Sequence, residues 1–295
     1  MRQLEPNQAI RLRNTTCPYC GVALTSENRT KEHVIGRRFV PKGTLDGNWN
    51  LIVWACKACN NHKADLEDDL SAISMHSDLV SGHSRDDPRL YTDSERKSAG
   101  SFSRKTGKPV SESREEHSIS GDLFGAQLKV TYVSAPQADH DRVLELARLQ
   151  LMAFYYFITI PENGENGGYW IGRFMPLEPV RAPDWGNERQ LFFMQETNDW
   201  DWRVHAITAD GYFKLTLKKH PLEQIWSFAI EWNDSFRIVG FFGDESCLSA
   251  LRERIPVLAM DTIYQRDNER IRQRIEVPIS SADDILFDPP PSLEG

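Results

Sequence analysis

The chain has 295 residues, 40% hydrophobic and 26% charged, with a formal net charge of −8. That apolar share excludes an intrinsically disordered protein and supplies one large core or two ordinary ones. The acidic balance excludes an indiscriminate nucleic-acid binder, yet residues 1–65 run against it, with ten Lys/Arg and five Asp/Glu.

Taken in order, MRQLEPNQAIRLR lacks the apolar stretch of a signal peptide. The longest apolar run, Leu149 to Ile160, contains Gln150 and is too short to span a bilayer. A soluble, cytoplasmic protein with no membrane partner is expected. The first unit is read over residues 1–82. Thr30–Ile35 and Leu51–Ala55 have strand composition, and Gly36–Asn48 between them, with Pro41, Gly43 and Gly47, reads as an irregular loop. From Asn60, apolar residues at Ala64, Leu66, Leu70, Ile73 and Leu79 predict a helix, with Asp65, Asp68 and Asp69 on its exposed face. Residues 83–118 are polar and Ser-rich and read as a linker or mobile loop.

Residues 119–295 read as a larger α+β region. Ala126–Ser134 reads as a strand, and Asp139–Ile160 as a long buried helix with an aspartate cap. Strand candidates follow at Tyr169–Met175, Gln190–Glu196, Trp202–Thr208, Tyr212–Lys218, Ile225–Trp232 and Phe236–Phe242, separated by turn signals such as Ala209-Asp210-Gly211 and Asn233-Asp234. They predict an antiparallel sheet on the long helix. Asp244 opens a helix running to Ile255. The charged stretch Asp261–Arg274 reads as a last helix, and DDILFDPPPSLEG as an extended tail. Aromatic residues on these strands read as core.

Four of the five cysteines form two CxxC pairs, Cys17–Cys20 and Cys56–Cys59, with 35 residues between them. Each CxxC turn brings two thiolates to one ion, and two turns complete a four-thiolate shell with Zn–S bonds of about 2.3 Å. No coordination position stays open, so this zinc is structural. Cys247 is left over and reads as a small buried hydrophobe.

Between and just after the knuckles stand Glu32-His33, Asn50, Asn60, His62 and Lys63. A histidine with a near-neutral pKa suits the general base that activates water against a phosphodiester. Arg37, Arg38 and Lys42 follow His33 in a loop, and Lys63 lies a helical turn from Asn60. All four are candidates for phosphate contact.

CPYCG, KEHVIGRRFVPKG and WNLIVWACKACNNHKAD, over residues 14–70, resemble the HNH (ββα-metal) endonuclease family in its zinc-ribbon form. The resemblance implies an α+β fold with an N-terminal ββα-metal module. It implies that His33 is the base, that Glu32 and Asn60 hold a catalytic divalent ion, and that Asn50 pins the loop and orients His33. His62 is a second candidate for the position of Asn60. Oxygen donors suit Mg2+ or Mn2+. The family has Asp more often than Glu at 32 and His more often than Asn at 60, which bears on metal preference. A DNA substrate and a setting in bacterial defence against phage or foreign DNA are the expectation, with RNA left open. Two other readings stay open: a zinc-stabilised nucleic-acid-binding module that does not cut, and a nuclease effector silent until a partner or ligand acts. Residues 119–295 would select the target or bind a partner protein or a second copy.

Overall fold

The computed structural model describes residues 8–77, 82–114, 116–123, 126–133, 136–170, 172–266 and 269–288. Its first sheet is built around β3 (Leu51–Cys56), with β2 (Arg29–His33) antiparallel on one side and β1 (Ile10–Arg11) parallel on the other. The run LIVWAC is apolar at every position, as a central strand covered on both faces requires. Glu32 lies opposite Val53 and His33 opposite Ile52. Helix α1 (Lys57–Met75) starts directly after β3, with Cys56 at its cap. It therefore begins three residues before the expected Asn60; Leu79 lies outside the described residues. Asp69 is not on an exposed face: it is buried, bound by Arg142 at 2.9 Å and by the Arg104 N–H at 3.0 Å.

The interval 83–118, expected as a linker or loop, holds a second helix, α2 (Pro88–Gly100), packed on α1. Asp87 caps it by accepting the Arg89 N–H, and Pro88 occupies its first turn, where no intrahelical donor is needed. The interval ends inside β4 (Glu116–Leu123), which pairs with β5 (Ala126–Val133). β5 matches the expected strand; Ser134 lies outside the described residues.

Helix α3 (His140–Ile158) follows, with Asp139 as its cap accepting the Arg142 N–H at 3.1 Å. Beyond it come β6 (Arg173–Pro176), β7 (Val180–Arg181), α4 (Glu188–Glu196), β8 (Asp201–Thr208), β9 (Phe213–Lys219), β10 (Ile225–Trp232), β11 (Phe236–Gly243) and α5 (Glu245–Arg254). The strands form an antiparallel sheet ordered β6-β11-β10-β9-β8, with β7 also on β11. Alternation along β10 and β11 feeds two layers. Phe228, Ile230, Trp232, Ile238 and Phe242 join α3 and the N-terminal module, while Ala229, Val239 and Phe241 join α4 and α5.

Further expectations are corrected. Gln190–Glu196 is helix α4, not a strand; Asn187 caps it with bonds from the Arg189 and Gln190 N–H groups. Asp261–Arg274 is a hairpin, β12 (Met260–Arg266) on β13 (Glu269–Arg274), not a helix. The segment before the C-terminus is docked rather than extended: Leu286 and Phe287 are buried in the α4–α5 layer, and Asp284 pairs with Arg237 at 2.6 Å. Residues 289–295 lie outside the described residues. Strand structure also starts later than expected in Tyr169–Met175, at Arg173. Cys247 is half-buried against the second layer.

The N-terminal module shares its core with the sheet. Phe39 meets Trp232 edge-on at 5.2 Å, and Trp49 meets Phe154 at 6.1 Å. The Asn233 amide donates to the Phe39 carbonyl and to Ser74 Oγ. Among the described residues, no helix is long and apolar enough to cross a membrane.

Candidate metal centre and adjoining cleft

Cys17 and Cys20 sit on the turn before β2, where Gly21 takes φ +75°, a conformation glycine adopts without strain. Cys56 ends β3 and Cys59 lies in the first turn of α1. The four sulfurs lie within 4.8 Å of one another. Cys20 Sγ is 3.7 Å from Cys56 Sγ, against an edge of about 3.8 Å for a tetrahedron with 2.3 Å metal–sulfur bonds. The geometry and donor set fit, so the cluster could hold a structural ion such as zinc. Burial pushes the Cys17 and Cys59 thiols up. At Cys56 burial acts the same way, but hydrogen bonds from the Cys59 N–H and the neighbouring thiols outweigh it and lower the pKa. A bound cation would replace this mutual opposition with attraction. Asn14 ties the knuckle to β3 through Thr16 and Trp54, and Tyr169 donates to the Cys17 carbonyl at 2.6 Å.

Beside the cluster lies a cleft of about 420 Å³ lined by Glu32, His33, Asn60, Glu67, Arg37 and Arg38, with Lys31, Asp68, Arg96 and Lys97 also on its wall. Glu32 is buried, and its Oε1 faces the Lys63 ammonium at 2.8 Å and the Tyr19 hydroxyl at 3.4 Å. Lys63 also binds Glu67 at 2.5 Å and the His33 carbonyl at 3.3 Å. Burial pushes Glu32 up against the pull of Lys63. Burial would discharge Lys63, but Glu67 and Glu32 hold its pKa above the usual lysine value. Two carboxylates thus share one ammonium.

His33 is half-buried, and its Nε2 is buried with no hydrogen-bond partner. Burial, then the charges of Arg37, Lys31, Lys63 and Arg11, lower its pKa, so the ring is neutral at pH 7. Asn50 is buried and bonds Ile35 twice, its amide donating to the carbonyl at 2.7 Å and its oxygen accepting the N–H at 3.3 Å. It therefore fixes the backbone two residues beyond His33. Glu67 accepts the Gly36 N–H at 3.3 Å, and a Cβ at Gly36 would collide with that carboxylate.

The structure brings together Glu32, His33, Asn60, Arg37 and Arg38 on one cleft, with Asn50 behind it. His62 points elsewhere: it is exposed, with Nε2 3.6 Å from Glu145 on α3. Lys42 does not line the cleft; its N–H donates to Asp93 at 2.6 Å. Lys63 is buried behind Glu32, so its amine faces carboxylates rather than solvent. Sequence reasoning missed Glu67, Arg96 and Lys97. Glu67 was recoverable as the i+4 partner of Lys63. The other two lie on α2, whose existence was not foreseen. Compared with protein-family models, curated proteins and solved structures, the chain gives no match.

Proposed function

We propose that this protein is a metal-dependent endonuclease of the HNH (ββα-metal) type, hydrolysing phosphodiester bonds in DNA, with the four cysteines holding a structural zinc. The observation that carries the reading is the cleft itself. Strand–loop–strand–helix order brings a neutral histidine with an unpartnered Nε2, a buried glutamate and an asparagine to one surface beside two arginines.

The donors suit a hard divalent ion. Glu32, Glu67 and Asn60 offer oxygen, and the contacts to Glu32 fall on Oε1 and leave its second oxygen. Glu32 and Asn60 would hold Mg2+ or Mn2+, which when bound polarises the phosphate and stabilises the leaving oxygen. His33 takes a proton from the attacking water at Nε2, and its lowered pKa keeps the ring neutral at pH 7 and able to accept it. Asn50, through Ile35, sets where His33 ends. Arg37 and Arg38 grip the phosphate as donors and charges. A role in bacterial defence against phage or foreign DNA belongs to this proposal through the family resemblance alone.

One observation favours a second reading, a nuclease held silent until a partner protein or ligand acts. Lys63 occupies the Glu32 carboxylate, and activation would shift that ammonium aside. Supercoiled plasmid and labelled RNA, each incubated with Mg2+ or Mn2+, test both readings. Metal-dependent cutting of plasmid supports the free-standing DNase. Cutting of RNA alone reassigns the substrate. No cutting of either by folded, zinc-loaded protein refutes the free-standing enzyme and leaves the gated reading or a module that only binds.

A further inference from the structure

Helix α2 forms part of the cleft wall. Lys97 is buried, and its ammonium donates to the Arg38 carbonyl and to Ser71 Oγ on α1. Asp93 accepts the Lys42 N–H at 2.6 Å and holds Arg96 through Oδ1. α2 is therefore fastened to both ends of the Arg38–Lys42 segment, and its position is fixed relative to His33. Arg96 differs from its neighbours. Its side chain is 61% exposed, and only Nε and Nη2 engage Asp93. Nη1 takes no part in that pair.

We infer that Arg96 binds substrate phosphate together with Arg37 and Arg38, and that the cleft takes one nucleic-acid strand at a time, from single-stranded DNA or from the unpaired stretches of an underwound supercoiled plasmid, rather than an intact duplex. The inference rests on the nuclease reading and names its substrate class. The reasons are geometric and electrostatic. The Nε2 of His33 is buried, and His33 shares the cleft lining with Arg96 and Lys97 of α2 and with Arg37 and Arg38 of the loop after β2. A flexible backbone bends into such a notch, whereas a duplex about 20 Å across brings two rigid backbones. The second backbone would meet Asp68, half-exposed on the cleft wall, and the acidic remainder of a chain of net charge −8. Arg37, Arg38 and Arg96 all line this one cleft and so converge on one line of phosphates.

The experiment uses full-length His33→Ala protein, so that nothing is cut, and a fluorescein-labelled DNA oligonucleotide as single strand and as duplex. Anisotropy titrations are run over a range of salt. The single strand is expected to bind about tenfold tighter than the duplex. Adding Arg96→Ala should weaken single-strand binding about tenfold and flatten the log K against log salt slope by about 0.7, one phosphate contact. Arg96→Lys should keep the slope. The side chain is exposed, so these variants fold, and circular dichroism checks it. Equal or tighter duplex binding, or an unchanged slope for Arg96→Ala, overturns the inference while the wild type still cuts plasmid. No binding of either form, with no metal-dependent cutting by the wild type, removes the nuclease reading and the inference with it.

Discussion

Replacing Lys63 by Met tests the charge arrangement beneath the cleft. The ammonium is buried between Glu32 at 2.8 Å and Glu67 at 2.5 Å. Methionine keeps most of the aliphatic volume, so the cavity contribution is small. What is lost is the cation that sits between two carboxylates. Removing one member of a buried ion pair costs about 3–5 kcal/mol, because the partner stays buried and uncompensated. Urea unfolding followed by far-UV circular dichroism should therefore show that loss with the slope m unchanged. Glu67→Gln in the same background should recover part of it, since the two sites are in contact and couple. Mn2+ should also restore stability, by about 2.7 kcal/mol at a hundred times its dissociation constant. A loss under about 1 kcal/mol refutes the reasoning, because exposed pairs have that weight.

Three further outcomes are expected. Cys56→Ser should lose bound zinc, measured by elemental analysis, and with it stabilisation on the order of 10 kcal/mol for the N-terminal module; a zinc-replete, fully folded variant contradicts the four-thiolate site. Trp232→Ala removes a buried indole that spans the module and the sheet, and strands Gln150 Oε1. It should cost about 4–6 kcal/mol and shift a single unfolding transition; two separate transitions would contradict the shared core. Arg237→Met takes the guanidinium from Glu231, buried with it, at 2.7 Å. Burial already raises Glu231 above 4.5, with Arg237 and Lys214 opposing, so the variant raises it further. A raised acid contributes stability below its unfolded value and loses it as pH rises through the folded one. The deficit should be smallest near pH 4.5 and largest in mildly alkaline buffer; a pH-independent deficit contradicts the assignment.

The knuckles, the Glu32-His33 pair and the β10–β11 hairpin were legible because each signal is local: spacing, a strand end, alternation with Asn233-Asp234 as the turn. Helix α2 was hidden because its buried face, Leu90, Asp93, Ser94, Lys97 and Ser98, is mostly polar. Periodicity cannot reveal a helix buried through ion pairs and hydrogen bonds; only Asp87-Pro88 marked its start. Gln190–Glu196 shows the opposite problem. A short apolar run fits strand or helix, and the deciding signal was the Asn187 cap with Glu188 in the first turn. In 261–274 charge suggested a solvated helix, but Thr262, Ile263 and Tyr264 favour strand. Asp69 looked exposed because its partner, Arg142, is 73 residues away. The Lys63–Glu32 contact was equally unreadable, since it needs α1 packed on β2.

The central claim is that His33 is the base of a phosphodiesterase. The most direct measurement is nicking and linearisation of supercoiled plasmid, with Mg2+ or Mn2+, by the wild type beside His33→Ala, with zinc content and circular dichroism matched. The account predicts cutting by the wild type and a loss of at least about 100-fold in the variant, the usual weight of a general base. Equal cutting by both would contradict it.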